Sequence, residues 1–267
     1  MGLLRIRLCT GPGTVTTMLV AKRLEGADML VFPELVDGGY AALRAGASPH
    51  RPGDQFLSSF ASASQTLAPY CIAGSVFLRQ PPPRTSNTSL VYCRGQLVHR
   101  YDKIHLFRPS GDHRYFRPGT HIRTFRVTLP GVRISCGVII CYDLRFPELV
   151  RAMARGGLDV LFVPARWPAV RDDAWQTLLK ARAIENQVFV VGCNASGEEG
   201  GWSYAFDPLG GMVFDSRWEP GEESHLLVFD LGRIADARGL HRNLNEAVVL
   251  RSGPRLRTVT ARRGRGA

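Results

Sequence analysis

Three side chains in this sequence have the types and settings from which covalent catalysis is built. Cys141 closes a stretch that alternates through Val132, Ile134, Cys136, Val138 and Ile140, as a buried strand does, and that turns helical from about Arg145. A thiol at such a junction stands at the carboxyl edge of a sheet, where N–H groups of the following turn can meet an oxyanion. Glu34 follows ADMLVFP, an apolar strand closed by Pro33, so a carboxylate stands where that strand leaves the core. Lys103 ends the run LVYCRGQLVHRYDK, ahead of the apolar IHLF. Each residue also has an ordinary reading: a buried inert cysteine, a solvated loop acid, a lysine paired with Asp102 or another acid. Together they carry more weight, because an acid, a lysine and a thiol at three strand ends converge where α/β folds build their sites.

The elements that must position them are legible as apolar runs bounded by turn residues. Strands are expected at Met29–Phe32, Cys71–Leu78, Ser89–Cys93, Val132–Ile140, Val160–Val163 and Val188–Val191. Between them lie amphipathic stretches at Thr16–Leu24, Gln55–Leu67, Arg145–Ala154 and Asp173–Asn186; in the last, Trp175, Leu178 and Leu179 share one face. Strands and helices taken by turns argue for a layered α/β fold. Pro81, Pro82 and Pro83 mark a loop, and Pro109–Gly119 reads as a second loop, long enough to serve as a lid. No internal repeat or Ser/Gly linker divides the chain.

Composition narrows the class. A chain of 267 residues, 45% hydrophobic, suits one large α/β domain. No run approaches a membrane span, and the N-terminus lacks a signal-type apolar region, so a soluble, cytoplasmic protein is expected. The six cysteines have no CxxC pairing or zinc spacing, which fits reduced thiols and no structural metal. The net charge of +11 is concentrated at the end: residues 251–267 hold six arginines and no acid, and read as a basic, disordered tail. Nucleic acid is therefore not the expected partner. Only Lys22, Lys103 and Lys180 are lysines, against 31 arginines, which singles out a lysine near reactive groups. GxSxG, GxxxxGK[ST] and HExxH motifs are absent, and GPG at 11–13 is too short for a dinucleotide fingerprint. Asn87 and Asn194 match the N-glycosylation pattern, which carries no weight without a secretory signal.

FPEL around Glu34, YDKIHLF around Lys103 and CYDLRFPEL around Cys141, in that order, resemble the three signatures of the nitrilase-like carbon-nitrogen hydrolases. NTSLVYCRGQLVHRYDK resembles the family's Asn-containing hairpin, ARAIENQVFVVGCN its helix-to-strand segment and WSYAFDPLGG its late strand and turn. The resemblance implies a four-layer α-β-β-α sandwich for residues 1–250, paired into a homodimer or higher homo-oligomer, with a Glu34–Lys103–Cys141 triad and no metal or organic cofactor. It further implies that Cys141 attacks an amide carbon as thiolate, with Lys103 and the Tyr142 N–H holding the oxyanion. Glu34 then serves as acid toward ammonia and base toward the water that cleaves the thioester.

Within the family, YDKIHLF followed by GDH, then CYDLRFP and RWP ahead of RDDAWQTLLKARAIEN, is most similar to the omega-amidases. That similarity implies a small carboxylate-bearing amide as substrate, with Arg145, Arg166 and Arg171 as candidate contacts for its carboxylate. Arg145 has a competing reading as an ion pair with Asp143 or Glu148. The alternatives are another C–N bond, as in an N-carbamoyl compound or deaminated glutathione, or a non-catalytic interaction module. Three departures stand out: Asp112 where a second glutamate is usual, Arg166 where the pattern has Asn, and a short GPGT link before the first helix.

Overall fold

The computed structural model describes residues 2–10, 26–79, 85–219, 224–241 and 243–246. The expected helix Thr16–Leu24, the GPGT link, the proline loop at 81–83 and the tail 251–267 lie outside the described residues.

Two sheets form the centre. In the first, β1 (Leu3–Cys9), β2 (Met29–Val31) and β3 (Tyr70–Ile72) run parallel, with Ile6 beside Met29 and Met29 beside Tyr70. β4 (Val76–Arg79), β5 (Thr85–Cys93) and β6 (Gln96–Asp102) continue it antiparallel. In the second, β7 (Thr124–Leu129) and β8 (Val132–Val138) make a hairpin, and β8, β9 (Val160–Ala165) and β10 (Phe189–Asn194) run parallel. β11 (Tyr204–Phe206) and β12 (Met212–Asp215) close that sheet, and β13 (Ser224–Asp230) returns to pair with β1.

Period-two patterning decides which faces meet. Leu4, Ile6 and Leu8 of β1 share one buried core with Val138, Phe162 and Val191 of the second sheet. The outer faces are covered by helices α2 (Gln55–Thr66), α4 (Pro147–Arg155) and α5 (Asp172–Asn186), while α1 (Gly39–Arg44) and α3 (Asp112–Tyr115) share a smaller cluster with Phe77 and Phe116, and α6 (Gly232–Leu240) sends Ile234 into the core between the sheets. α2 starts where Asp54 accepts the Leu57 N–H at 2.9 Å, and its Phe60 meets Phe32 edge-on, with ring centroids 5.2 Å apart. Met153 of α4 and Trp175 and Leu179 of α5 pack on Leu161, Val163 and Val190. The result is the expected α-β-β-α order of layers. Strands covered on both faces, such as β2, β9 and β10, are apolar without alternation, as central parallel strands are. Among the described residues no helix is long and apolar enough to cross a membrane.

Two sequence expectations need correction. Cys71–Leu78 is not one strand: it breaks at 73–75, where Gly74 adopts φ +54 and a Cβ would lie 1.9 Å from the Pro33 carbonyl oxygen. The break has a purpose, because Ser75 Oγ accepts the Leu35 N–H at 3.0 Å and the Ser75 carbonyl accepts the Val36 N–H at 2.9 Å. The turn carrying Glu34 is thus cradled by an interrupted strand. Pro109–Gly119, expected as a loop, instead contains α3 and folds inward, burying Asp112 and Phe116, and its Gly119 N–H donates to the Lys103 carbonyl at 2.8 Å.

Candidate active site

Glu34, Lys103 and Cys141 leave β2, β6 and β8 at one end of the sandwich and meet there, Glu34 and Lys103 wholly buried. Glu34 Oε1 accepts from Lys103 Nζ at 2.8 Å, Asn87 Nδ2 at 2.9 Å and the Tyr40 hydroxyl at 3.3 Å. Glu34 Oε2 accepts the Arg166 backbone N–H at 3.0 Å, and the Cys141 thiol, beside the same carboxylate, donates to the Arg166 carbonyl at 3.9 Å. Lys103 Nζ also donates to Asp112 Oδ2 at 2.9 Å. The shorter acid therefore still reaches the lysine, because α3 brings its backbone inward and the Phe107 N–H and Ser110 hydroxyl hold its oxygens at 2.9 and 2.6 Å.

The electrostatics follow from one ammonium shared by two buried carboxylates. Burial pulls the Lys103 ammonium down, but the surrounding acids, Glu34 foremost, outweigh it and keep the lysine charged well above its usual range. Asp112 is pushed up by burial and more strongly down by the Lys103 charge and its donated hydrogen bonds, ending below the usual carboxylate range. For Cys141, burial and the Glu34 charge raise the thiol well above its ordinary value, and Lys103 offsets them only in part. This balance opposes ionisation of the isolated thiol and fits the family expectation that its ionisation is helped by Lys103 and by proton transfer to Glu34.

Cys141 itself sits at φ +48, a left-handed conformation that costs a non-glycine residue on the order of 1 kcal/mol and persists only where the surroundings over-determine it. They do. Asp143, two residues on in the 3-10 turn Cys141–Arg145, is buried and accepts from the Ile140 N–H at 3.1 Å, the Tyr101 hydroxyl at 2.7 Å and the His105 N–H at 2.7 Å. Tyr142 lies in the first turn of that helix, where backbone N–H groups have no intrahelical acceptor.

The arginines divide. Arg166, expected to contact substrate, turns its side chain inward: Nε donates to the Glu34 carbonyl at 2.8 Å and Nη2 to the Leu35 carbonyl at 3.0 Å. Arg145 does not pair with Asp143, whose oxygens are taken as above; its guanidinium lies 4.9 Å over the Trp167 ring. Arg171 lies 5.5 Å over Phe107. Phe107 in turn packs against Tyr142, at 4.9 Å between ring centroids, beside Cys141. Both cations thus flank the site on aromatic faces, and neither is ion-paired among the described residues.

Several members of the site were not singled out from sequence. Tyr40, on α1, and Glu199, in the loop after β10, belong to no motif. Asn87 and Asn194 matched a glycosylation pattern, yet both are buried: Asn87 bonds Glu34, and Asn194 clamps the Trp167 N–H and carbonyl, each at 2.8 Å. Asn87 had one sequence signal, its place in the hairpin before Lys103. Among the described residues no group of three or more His, Cys, Asp or Glu is arranged to hold a metal ion.

The carbon-nitrogen hydrolase family model matches residues 11–234. The chain is 35% identical to the 2-oxoglutaramate amidase of Bacillus subtilis (strain 168) over 207 residues, spanning 76% of this chain and 78% of that protein. It is 39% identical to the omega-amidase YafV of Escherichia coli (strain K12) over 196 residues, 71% of this chain and 73% of the relative. Its fold is similar to that of XC1258 from Xanthomonas campestris, a CN-hydrolase superfamily protein solved with an arsenic adduct in its active site, with a TM-score of 0.79 and 26% identity over 95% of this chain and 100% of the other. With a family match over most of its length and relatives this similar, the chain belongs to the carbon-nitrogen hydrolase family.

Proposed function

We propose that this protein is an omega-amidase-like hydrolase that releases ammonia from a small carboxylate-bearing amide through a thioester on Cys141. The observation that carries the reading is the buried contact of Glu34 with Lys103 beside the Cys141 thiol, in a chain whose relatives are named for omega-amide hydrolysis.

In this reading Glu34 takes the thiol proton as sulfur attacks the amide carbon. The Lys103 ammonium and the Tyr142 N–H hold the oxyanion, and Asp112 keeps the ammonium in place. Collapse of the tetrahedral intermediate breaks the C–N bond, and the proton held by Glu34 leaves with the nitrogen as ammonia. Glu34 then draws a proton from water as its oxygen attacks the thioester, and the carboxylic acid departs with the thiol restored. Arg145 and Arg171, whose guanidinium donors are not spent on protein carboxylates, would receive the substrate's carboxylate.

A second reading keeps the chemistry and changes the substrate, because the chain is also 33% identical over 221 residues to a deaminated glutathione amidase of Synechocystis sp.. Ammonia release is to be measured from 2-oxoglutaramate, succinamate, glutamine and an N-carbamoyl amino acid, and release of the cysteinylglycine amine from deaminated glutathione, with wild type and Cys141→Ala side by side. Cys141-dependent release from the dicarboxylate monoamides is expected. Activity surviving in Cys141→Ala would sink the mechanism, and silence from a folded wild type would favour a non-catalytic module.

We further propose a homodimer or higher homo-oligomer in the cytoplasm, a compartment that suits six unpaired thiols. Residues 1–250 are taken as the hydrolase unit, so deletion of 251–267 should leave kcat/KM unchanged.

A further inference from the structure

Arg166 holds both ends of Glu34. Its backbone N–H donates to the carboxylate at Oε2, 3.0 Å, while its Nε donates to the Glu34 carbonyl at 2.8 Å and its Nη2 to the Leu35 carbonyl at 3.0 Å. Leu35 sits at φ +45, so this turn is strained and needs outside support. The remaining nitrogen, Nη1, lies 3.5 Å from Glu199 Oε2. That oxygen also accepts the Tyr40 N–H at 3.0 Å, and the other Glu199 oxygen pairs with Arg44 at 2.7 Å. Tyr40 closes the ring, since its hydroxyl is 3.3 Å from Glu34 Oε1.

The packing is specific to this cluster. Gly39 adopts φ +69, and a Cβ there would lie 2.5 Å from Glu199 Oε2 and 2.7 Å from Arg166 Cζ. Only glycine lets the ion pair close down on the start of α1. The guanidinium side chain is 16% exposed and meets two carbonyls and one carboxylate, which leaves no free fork for a bidentate substrate carboxylate.

We propose that Arg166 is a positioning residue: together with Glu199 it latches the end of β9 to the Glu34 turn and to α1, fixing the carboxylate against Cys141 and Lys103. The inference rests on the reading of Glu34 as the acid-base of an amidase. It assigns Arg166 and Glu199 to orientation, not to substrate recognition.

The test compares Arg166→Met, Arg166→Lys and Glu199→Gln with wild type, using the amide that wild type turns over fastest and checking each fold by its melting curve. Arg166→Met should lower kcat about 10- to 100-fold with KM within about threefold, the scale of loss when a reacting group is misplaced by about 1 Å. Arg166→Lys should return part of that kcat, and Glu199→Gln, which keeps its shape, should show a smaller loss of kcat and carries the test if Arg166→Met fails to fold. A KM increase at unchanged kcat would overturn the proposal in favour of substrate contact, and no change in either would overturn it outright. A second readout needs no substrate: alkylation of Cys141 by iodoacetamide at neutral pH, followed by peptide mass, should slow severalfold in Arg166→Met and Glu199→Gln. Rates equal to or above wild type in both would also overturn the proposal. A wild type silent on every amide would count against the amidase reading, while the alkylation rates would still decide the role of Arg166.

Discussion

At the scale of residues, the site is a charge-sharing problem. One ammonium serves two buried carboxylates, and the thiol beside them is left with the harder ionisation, because burial and the Glu34 charge both oppose a thiolate. In the proposed mechanism the thiolate is therefore made in step with attack, by proton transfer to Glu34. Alkylation of Cys141 should keep rising between about pH 6 and about pH 9, whereas a standing thiolate would give a plateau below about pH 7. Lys103→Arg should lose about 100-fold or more in kcat despite keeping the charge, since a planar fork cannot occupy the position of a compact ammonium between Glu34 and Asp112. A kcat within a few-fold of wild type would show that charge alone suffices.

At the scale of elements, the site depends on an interruption. The break between β3 and β4 places Ser75 under the Glu34 turn, and Gly74 makes the break possible. Gly74→Ala puts a methyl against the Pro33 carbonyl in a left-handed conformation, and should lower stability by about 3 kcal/mol or more, read from the urea midpoint. Ser75→Ala leaves the Leu35 N–H without its buried acceptor; a loss of about 1–3 kcal/mol is expected, with a fall in kcat as the turn loosens. An unchanged midpoint in Gly74→Ala would mean that the break is not strained against Pro33.

At the scale of the whole molecule, the two sheets are joined in part by a titratable contact. His99 of β6 packs its ring 5.0 Å from Phe125 of β7, and burial, helped by the Arg123 charge, lowers its pKa to about 4. A base whose folded pKa is depressed supports the fold fully above its unfolded value of about 6.5, and that support is lost as the pH falls through the folded value. Between pH 7 and about pH 4.5 the loss is on the order of 2 kcal/mol, and His99→Leu should remove it. Equal acid sensitivity of His99→Leu and wild type in urea unfolding would reject this assignment.

The strands, the main helices, the layer order and the candidate triad were legible in the sequence, because apolar periodicity is a local property and three ordered motifs mark strand ends. Local patterning did not reveal the break at 73–75, since Cys71–Leu78 is apolar enough to read as one strand until Pro33 is seen against Gly74. Nor did it reveal that Pro109–Gly119 folds inward, that Asn87 and Asn194 are buried hydrogen-bonding partners at the site, or that the Arg166 guanidinium is taken up by the Glu34 and Leu35 carbonyls and by Glu199. Side-chain chemistry and the period of burial were set by the sequence alone. Which charges share a buried partner, and which cation is already taken, was decided by residues up to 159 positions apart, brought together only when the two sheets pack.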